Sequence, residues 1–188
     1  MKRSIYLISL LLIALISCNK EKFHTYDSDF QELYNELIDN GHEHEMTWDS
    51  EVHSYSFILS EDKVLSAIGY QSHPDLGGVN YLMEITDDTD SSIIFSENYT
   101  FSTSEISYAT LSAPLTLMEG VPYTINRIQT NWTTYITETI GNVVMTTSSD
   151  YPISFGDLTI TESNFHDYGS TNSWSKFLAL PRIDLVFE

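Results

Sequence analysis

Cysteine is almost absent from this chain: Cys18 is the only one in 188 residues. That leaves no disulfide framework and removes cysteine-based zinc sites and cysteine nucleophiles from consideration. Basic residues are scarce as well, with 8 Lys plus Arg against 27 Asp plus Glu and a formal net charge of −19. Such a surface repels nucleic acid and anionic headgroups, because no basic patch exists to neutralise phosphates. No run is long enough to cross a bilayer, which needs about 20 apolar residues. The familiar catalytic signatures are also missing, with no Gly-x-Ser-x-Gly elbow, no Walker loop and no Gly-x-Gly-x-x-Gly.

What is present begins at the N-terminus. Lys2 and Arg3 precede an apolar stretch, Ile5 to Ile16, broken only by Ser9, and Leu15-Ile16-Ser17-Cys18 follows directly. This is the layout of a secretory signal, with a charged n-region, an apolar h-region and a small residue before the cut. Leu-Ile-Ser-Cys resembles the lipobox of bacterial lipoproteins. The resemblance implies cleavage of residues 1–17, a diacylglycerol on the Cys18 thiol and an acyl chain such as palmitate on the new amine. The expected product is exported and lipid-anchored to the bacterial envelope, the outer membrane in preference to the inner, with the membrane face left open. Its 6 basic and 27 acidic residues would carry a formal charge of −21. Lipid anchoring overcomes the repulsion from headgroups, since each buried CH₂ contributes about 0.8 kcal/mol and two or more chains hold stably.

Residues 18–27 read as a tether, 28–49 as a helix and linker, and 50–188 as a β-sandwich domain. Ser28 or Asp29 can cap a helix over Asp29–Asn40. Phe30, Leu33, Tyr34, Leu37 and Ile38 fall on one face of it, and Asn40-Gly41 ends it. From Trp48 onward the apolar period changes to 2. Strands are expected at Tyr55–Leu59, Val64–Gln71, Tyr81–Thr86, Ile93–Phe101, Ile106–Leu111, Tyr123–Gln129, Thr133–Thr139, Val143–Thr147 and Ile183–Phe187. Turn clusters such as His73-Pro74-Asp75-Leu76-Gly77-Gly78 separate them, and no helices intervene. The pattern predicts an all-β, antiparallel, jelly-roll-like sandwich preceded by one short amphipathic helix.

Phe57-Ile58-Leu59, Val64 to Tyr70 and Tyr81 to Ile85 look like the opening of the jelly-roll module called the PHR domain. Pro114 to Ile125 is similar to its "apolar, acidic or small, Gly, x, x, Tyr" step, and Leu180 to Phe187 to its closing strand. The resemblance implies a binding domain and carries no catalytic residue over.

Four groups of residues are candidates for chemistry. His42-Glu43-His44-Glu45-Met46 imitates a zincin motif, but Met46 stands where the second helical histidine belongs; as an extended His-x-His pair it offers metal ligands, and its plainer reading is a solvated linker. Asp87, Asp88 and Asp90 sit in a strand-connecting loop, where calcium is possible, with a hydrophilic hairpin turn as the default. Glu97 falls on an otherwise apolar strand face and Arg127 on another; either they pair when buried or a bulge turns Glu97 outward, the second reading being preferred. Trp132, Tyr135 and Trp174, with Tyr168 and Trp48, stand in turn-rich surroundings; the first three are the expected ligand contacts, and the plainer reading of such aromatics is half-buried caps of the sandwich. Asn98-Tyr99-Thr100 and Asn131-Trp132-Thr133 match the glycosylation sequon, which means little in a bacterial lipoprotein.

These readings combine into a non-catalytic envelope lipoprotein, a binding or adhesion module for a glycan or protein ligand, with no catalytic residue and no nucleic-acid partner. The alternatives are a glycan-active enzyme using carboxylates and an accessory subunit of an envelope complex.

Overall fold

The computed structural model describes residues 26–47, 50–135, 141–170 and 175–188. Cys18, Trp48 and Trp174 lie outside the described residues. Helix α1 spans Asp29–Asp39, as its apolar spacing requires, and its ends are satisfied by sequence-local groups. The Ser28 side chain accepts from the Gln31 amide at 3.1 Å. At the other end His42 N–H donates to Leu37 O and Gly41 N–H to Ile38 O, with Gly41 at φ 94°. That is the Schellman pattern, which a residue with Cβ adopts only at a cost. Phe30, Leu33, Tyr34 and Leu37 are buried, whereas Ile38 falls at the edge of the stripe and is exposed.

The strands are β1 (His44–Thr47), β2 (Val52–Leu59), β3 (Lys63–Tyr70), β4 (Tyr81–Asp87), β5 (Ser92–Tyr99), β6 (Ser107–Leu117), β7 (Tyr123–Gln129), β8 (Gly141–Met145), β9 (Ile153–Phe155), β10 (Leu158–His166), β11 (Ala179–Pro181) and β12 (Asp184–Phe187). One layer is a six-stranded sheet in the order β5-β4-β7-β2-β10-β9. The other holds β12-β3-β6 and β1-β8-β11. Strands β11 and β12 are successive parts of one passage, separated by Arg182 and Ile183. The described strand pairs are all antiparallel, and the chain changes layer at every step between consecutive strands except β4 to β5, β9 to β10 and β11 to β12. The protein is thus an all-β, jelly-roll-like sandwich with one short helix.

Tyr55, Phe57, Tyr81, Met83, Ile85 and Ile125 from the first layer meet Leu65, Ile68, Tyr70, Leu180 and Leu185 from the second in one core. The helix joins the same core: Phe30 stacks on Tyr55 with centroids 5.4 Å apart. The Tyr55 hydroxyl, itself buried, donates to Ile183 O at 2.7 Å and so satisfies its polar head across the two layers. A phenol buried without such a partner would lose stability.

Several elements differ from the sequence expectation. The segment read as a linker contains β1, an edge strand paired with β8. Strands β9, β10 and β11 have no counterpart among the expected strands. In place of the start of the strand expected over Thr133–Thr139, Trp132–Thr134 forms a 3-10 turn, and residues 136–140 lie outside the described residues.

Candidate functional site

Successive side chains of a strand point to opposite faces, so register sorts the six-stranded sheet into rows. The inward row is Phe165, His53, Arg127, Met83 and Glu97 across β10, β2, β7, β4 and β5. The outward row beside it is Asn164, Ser54, Asn126, Glu84 and Ser96. Every member of that outward row can make hydrogen bonds through its side chain, and only Glu84 carries charge.

A pocket of about 120 Å³ opens over this outward face, lined by Ser54, Ser56, Thr124, Asn126, Glu162, Asn164 and His166 among others. Its polar groups are partly fixed by their neighbours. Thr124 Oγ1 donates to Asp88 Oδ2 at 2.8 Å, so the 2.7 Å contact between Ser56 Oγ and Thr124 Oγ1 has Ser56 as donor. Desolvation holds the Asp88 carboxyl above the usual range, against the pull of the Thr124 bond. Ser96 Oγ donates to Glu84 at 3.0 Å, and Lys176 pairs with Glu162 at 2.5 Å. Tyr168, two residues beyond His166, is 56% exposed, and its amide is tied to Glu51 Oε2 at 2.8 Å.

The bulge between β4 and β5 lies near Ile94, between the Ile85–Phe95 and Thr86–Ile93 pairs, not at Glu97. It is Ile93 that turns out to solvent, 54% exposed, while Glu97 keeps its inward direction at the sandwich edge. This corrects the preferred outward reading of Glu97. Glu97 does not pair with Arg127 either. Its carboxylate accepts from the Tyr99 and Ser112 hydroxyls and, at 3.4 Å, from Ser112 N–H, linking β5 to β6 in the other layer. The Ser112 bond, followed by that from Tyr99, keeps its carboxyl below the ordinary range.

Arg127 is fully buried. Its guanidinium lies over the rings of Tyr70 and Tyr81, at 5.6 and 5.5 Å from their centroids, and Nη1 reaches Glu51 O at 3.5 Å. Cation–π contacts of this kind offset part of the cost of burial. Desolvation pushes both tyrosines above their usual range, and the nearby Arg127 charge opposes it.

The other sequence candidates are placed as follows. Asp87 Oδ1 accepts from Thr89 N–H and Oγ1, Asp90 Oδ1 from Ser92 N–H, and Asp88 bonds Thr124. Each carboxylate thus serves the β4–β5 turn or its neighbour. His42 Nδ1 contacts Met145 O at 2.9 Å, and His44 meets the Tyr34 ring edge-on at 6.0 Å. Burial, then the Arg182 charge, pulls His44 below the usual imidazole range. Among the described residues no group of three or more His, Cys, Asp or Glu is placed to hold a metal. Trp132 and Tyr135 are half-buried, in and just after the 3-10 turn that follows β7. The outward polar row is absent from the sequence candidates, although Ser54, Ser56, Thr124 and Asn126 mark the polar positions of β2 and β7.

No protein-family model matches this chain, and no curated protein matches it.

Proposed function

We propose that the chain is a lipid-anchored protein of the bacterial envelope whose sandwich binds a glycan without chemical turnover. The anchor is the Cys18 lipobox, and the ligand face is the outward side of the six-stranded sheet. The observation that carries the reading is the row Asn164-Ser54-Asn126-Glu84-Ser96, whose Asn164, Ser54 and Asn126 line the pocket. On a chain of net charge −19, these five positions hold amides, hydroxyls and one carboxylate. Such groups match the alternating donors and acceptors of sugar hydroxyls and offer little to a polyanion. Tyr168, two residues beyond the pocket's His166 and 56% exposed, offers an exposed aromatic ring for stacking.

A protein ligand would instead favour a continuous apolar patch of several hundred Å². Of the exposed large hydrophobics among the described residues, Ile93 and Ile94 share β5, while Ile38, Met46, Met118, Phe155, Tyr168 and Leu178 stand on other segments. Trp132, Tyr135 and Trp174 form the second proposed contact. A glycan array with wild type, Asn126→Ala/Asn164→Ala and Trp132→Ala tests the assignment. Loss of binding in the double variant alone supports the sheet face, loss in Trp132→Ala alone moves the site to the loop, and turnover of any arrayed glycan rejects the non-catalytic reading.

A further inference from the structure

Arg127 has the largest side chain among the fully buried ones, and a guanidinium cannot escape burial by giving up its proton. A buried charge is stable only when paired or well hydrogen-bonded. Among the described residues Arg127 has no ion pair. The acid in its own cross-strand row, Glu97, stands beyond Met83 and is held by Tyr99 and Ser112. Nε and Nη2, both fully buried, have no hydrogen-bond partner among the described residues. Those two N–H groups form the edge of a guanidinium that grips two oxygens side-on.

Gln129 lies two residues along on the same inward face of β7, and both its amide atoms are buried without a partner among the described residues. Tyr70 Oη is in the same condition nearby. The backbone approaches closely here: a Cβ on Gly141 would stand 2.5 Å from Tyr70 Oη and 3.3 Å from His53 Nδ1, so a glycine at this position is what lets the Tyr70 hydroxyl sit against β8. Three buried polar heads without a partner among the described residues, one of them cationic, thus lie on the inner side of the sandwich. Water alone would supply hydrogen bonds but would leave the charge uncompensated.

We propose that Arg127 and Gln129 form a buried binding site for a small carboxylate anion, its two oxygens on Arg127 Nε and Nη2 and one of them also accepting from Gln129 Nε2. The site is separate from the glycan face, because these side chains point to the opposite side of the sheet. The probe is sodium formate, titrated into the full chain at constant ionic strength made up with sodium methanesulfonate. Thermal unfolding reports stabilisation, and line broadening of ¹³C-formate reports binding directly. The expected result is a melting temperature that rises and saturates with formate, a broadened formate signal, and neither effect in Arg127→Met. Should Arg127→Met fail to fold, Gln129→Leu provides the second variant, with a half-saturating concentration raised about tenfold, the loss of one hydrogen bond to a charged group. A flat response in wild type, the same response in wild type and Arg127→Met, or an unchanged half-saturating concentration in Gln129→Leu overturns the site.

Discussion

Ser28 Oγ donates to Asp184 Oδ1 at 2.5 Å while accepting from the Gln31 amide at 3.1 Å. One hydroxyl therefore caps the helix and fastens it to the closing strand, 156 residues away in sequence. Gln31 Nε2 and Tyr108 Oη also donate to Asp184 Oδ2, each at 2.8 Å, so three donors from outside the closing strand converge on one buried carboxylate.

This double role separates two substitutions that a capping rule alone would rank the other way. Aspartate caps as well as serine does, and alanine does not. Here an aspartate in place of Ser28 would lack a donor and would set a second anion against Asp184. Ser28→Ala is expected to cost about 1–3 kcal/mol, combining a lost cap with a lost hydrogen bond to a charged group, and Ser28→Asp to cost more than Ser28→Ala. Urea unfolding of both decides it; a Ser28→Asp protein more stable than the Ser28→Ala protein would show that the contact to Asp184 is unimportant.

Asp184 also fixes a pH dependence. Desolvation raises its carboxyl above the ordinary range, against the Ser28, Gln31 and Tyr108 bonds and the Arg182 charge. The folded state then binds more protons than the unfolded state between the ordinary value of 3.8 and the raised one. Stability contributed by this group accordingly falls as pH rises through that window. Asp184→Asn cannot titrate. Wild type should therefore lose stability relative to Asp184→Asn as the pH rises through the window, measured by denaturant titrations at a series of pH values. A gain would mean that the three hydrogen bonds outweigh burial.

Leu33 is 1% exposed on the helix face that packs into the core. Leu33→Ala should cost about 2–5 kcal/mol, as for other buried leucines. An unchanged melting temperature would contradict the integral place of α1 in the sandwich.

At the N-terminus the account expects Cys18→Ser to remain unprocessed and unlipidated, because the diacylglycerol is carried on the thiol. Detergent phase partitioning measures this. A serine variant that enters the detergent phase as wild type does would remove the lipobox reading.

The helix was legible because three local signals agree: the Phe30-Leu33-Tyr34-Leu37 spacing, Ser28 before it and Gly41 after it. Strands β2 to β5 and β7 were legible through alternation, since one face of each meets the core. Strand β10 was hidden by its own bulge, which lies between Ile160 and Glu162 and breaks the alternation before Phe165. Strand β1 is polar and exposed at a sheet edge, and its order comes from pairing with β8, not from burial. Strand β11 is only Ala179–Pro181. Arg127 stood out in the sequence as a cation on an apolar face. Its surroundings did not, because Tyr70 and Tyr81 reach it from other strands. The outward row needs the strand order β10-β2-β7-β4-β5, which long-range pairing sets and no local window contains.

The most direct test of the proposed function is amide chemical-shift mapping of the ¹⁵N-labelled protein with the glycan that binds best on the array. The account predicts saturable shifts concentrated at Ser54, Ser56, Thr124, Asn126 and Asn164, with little change at Leu65, Ile68 or Leu185 in the opposite layer. Shifts confined to Trp132 and Tyr135, or the absence of any retained glycan, would contradict it.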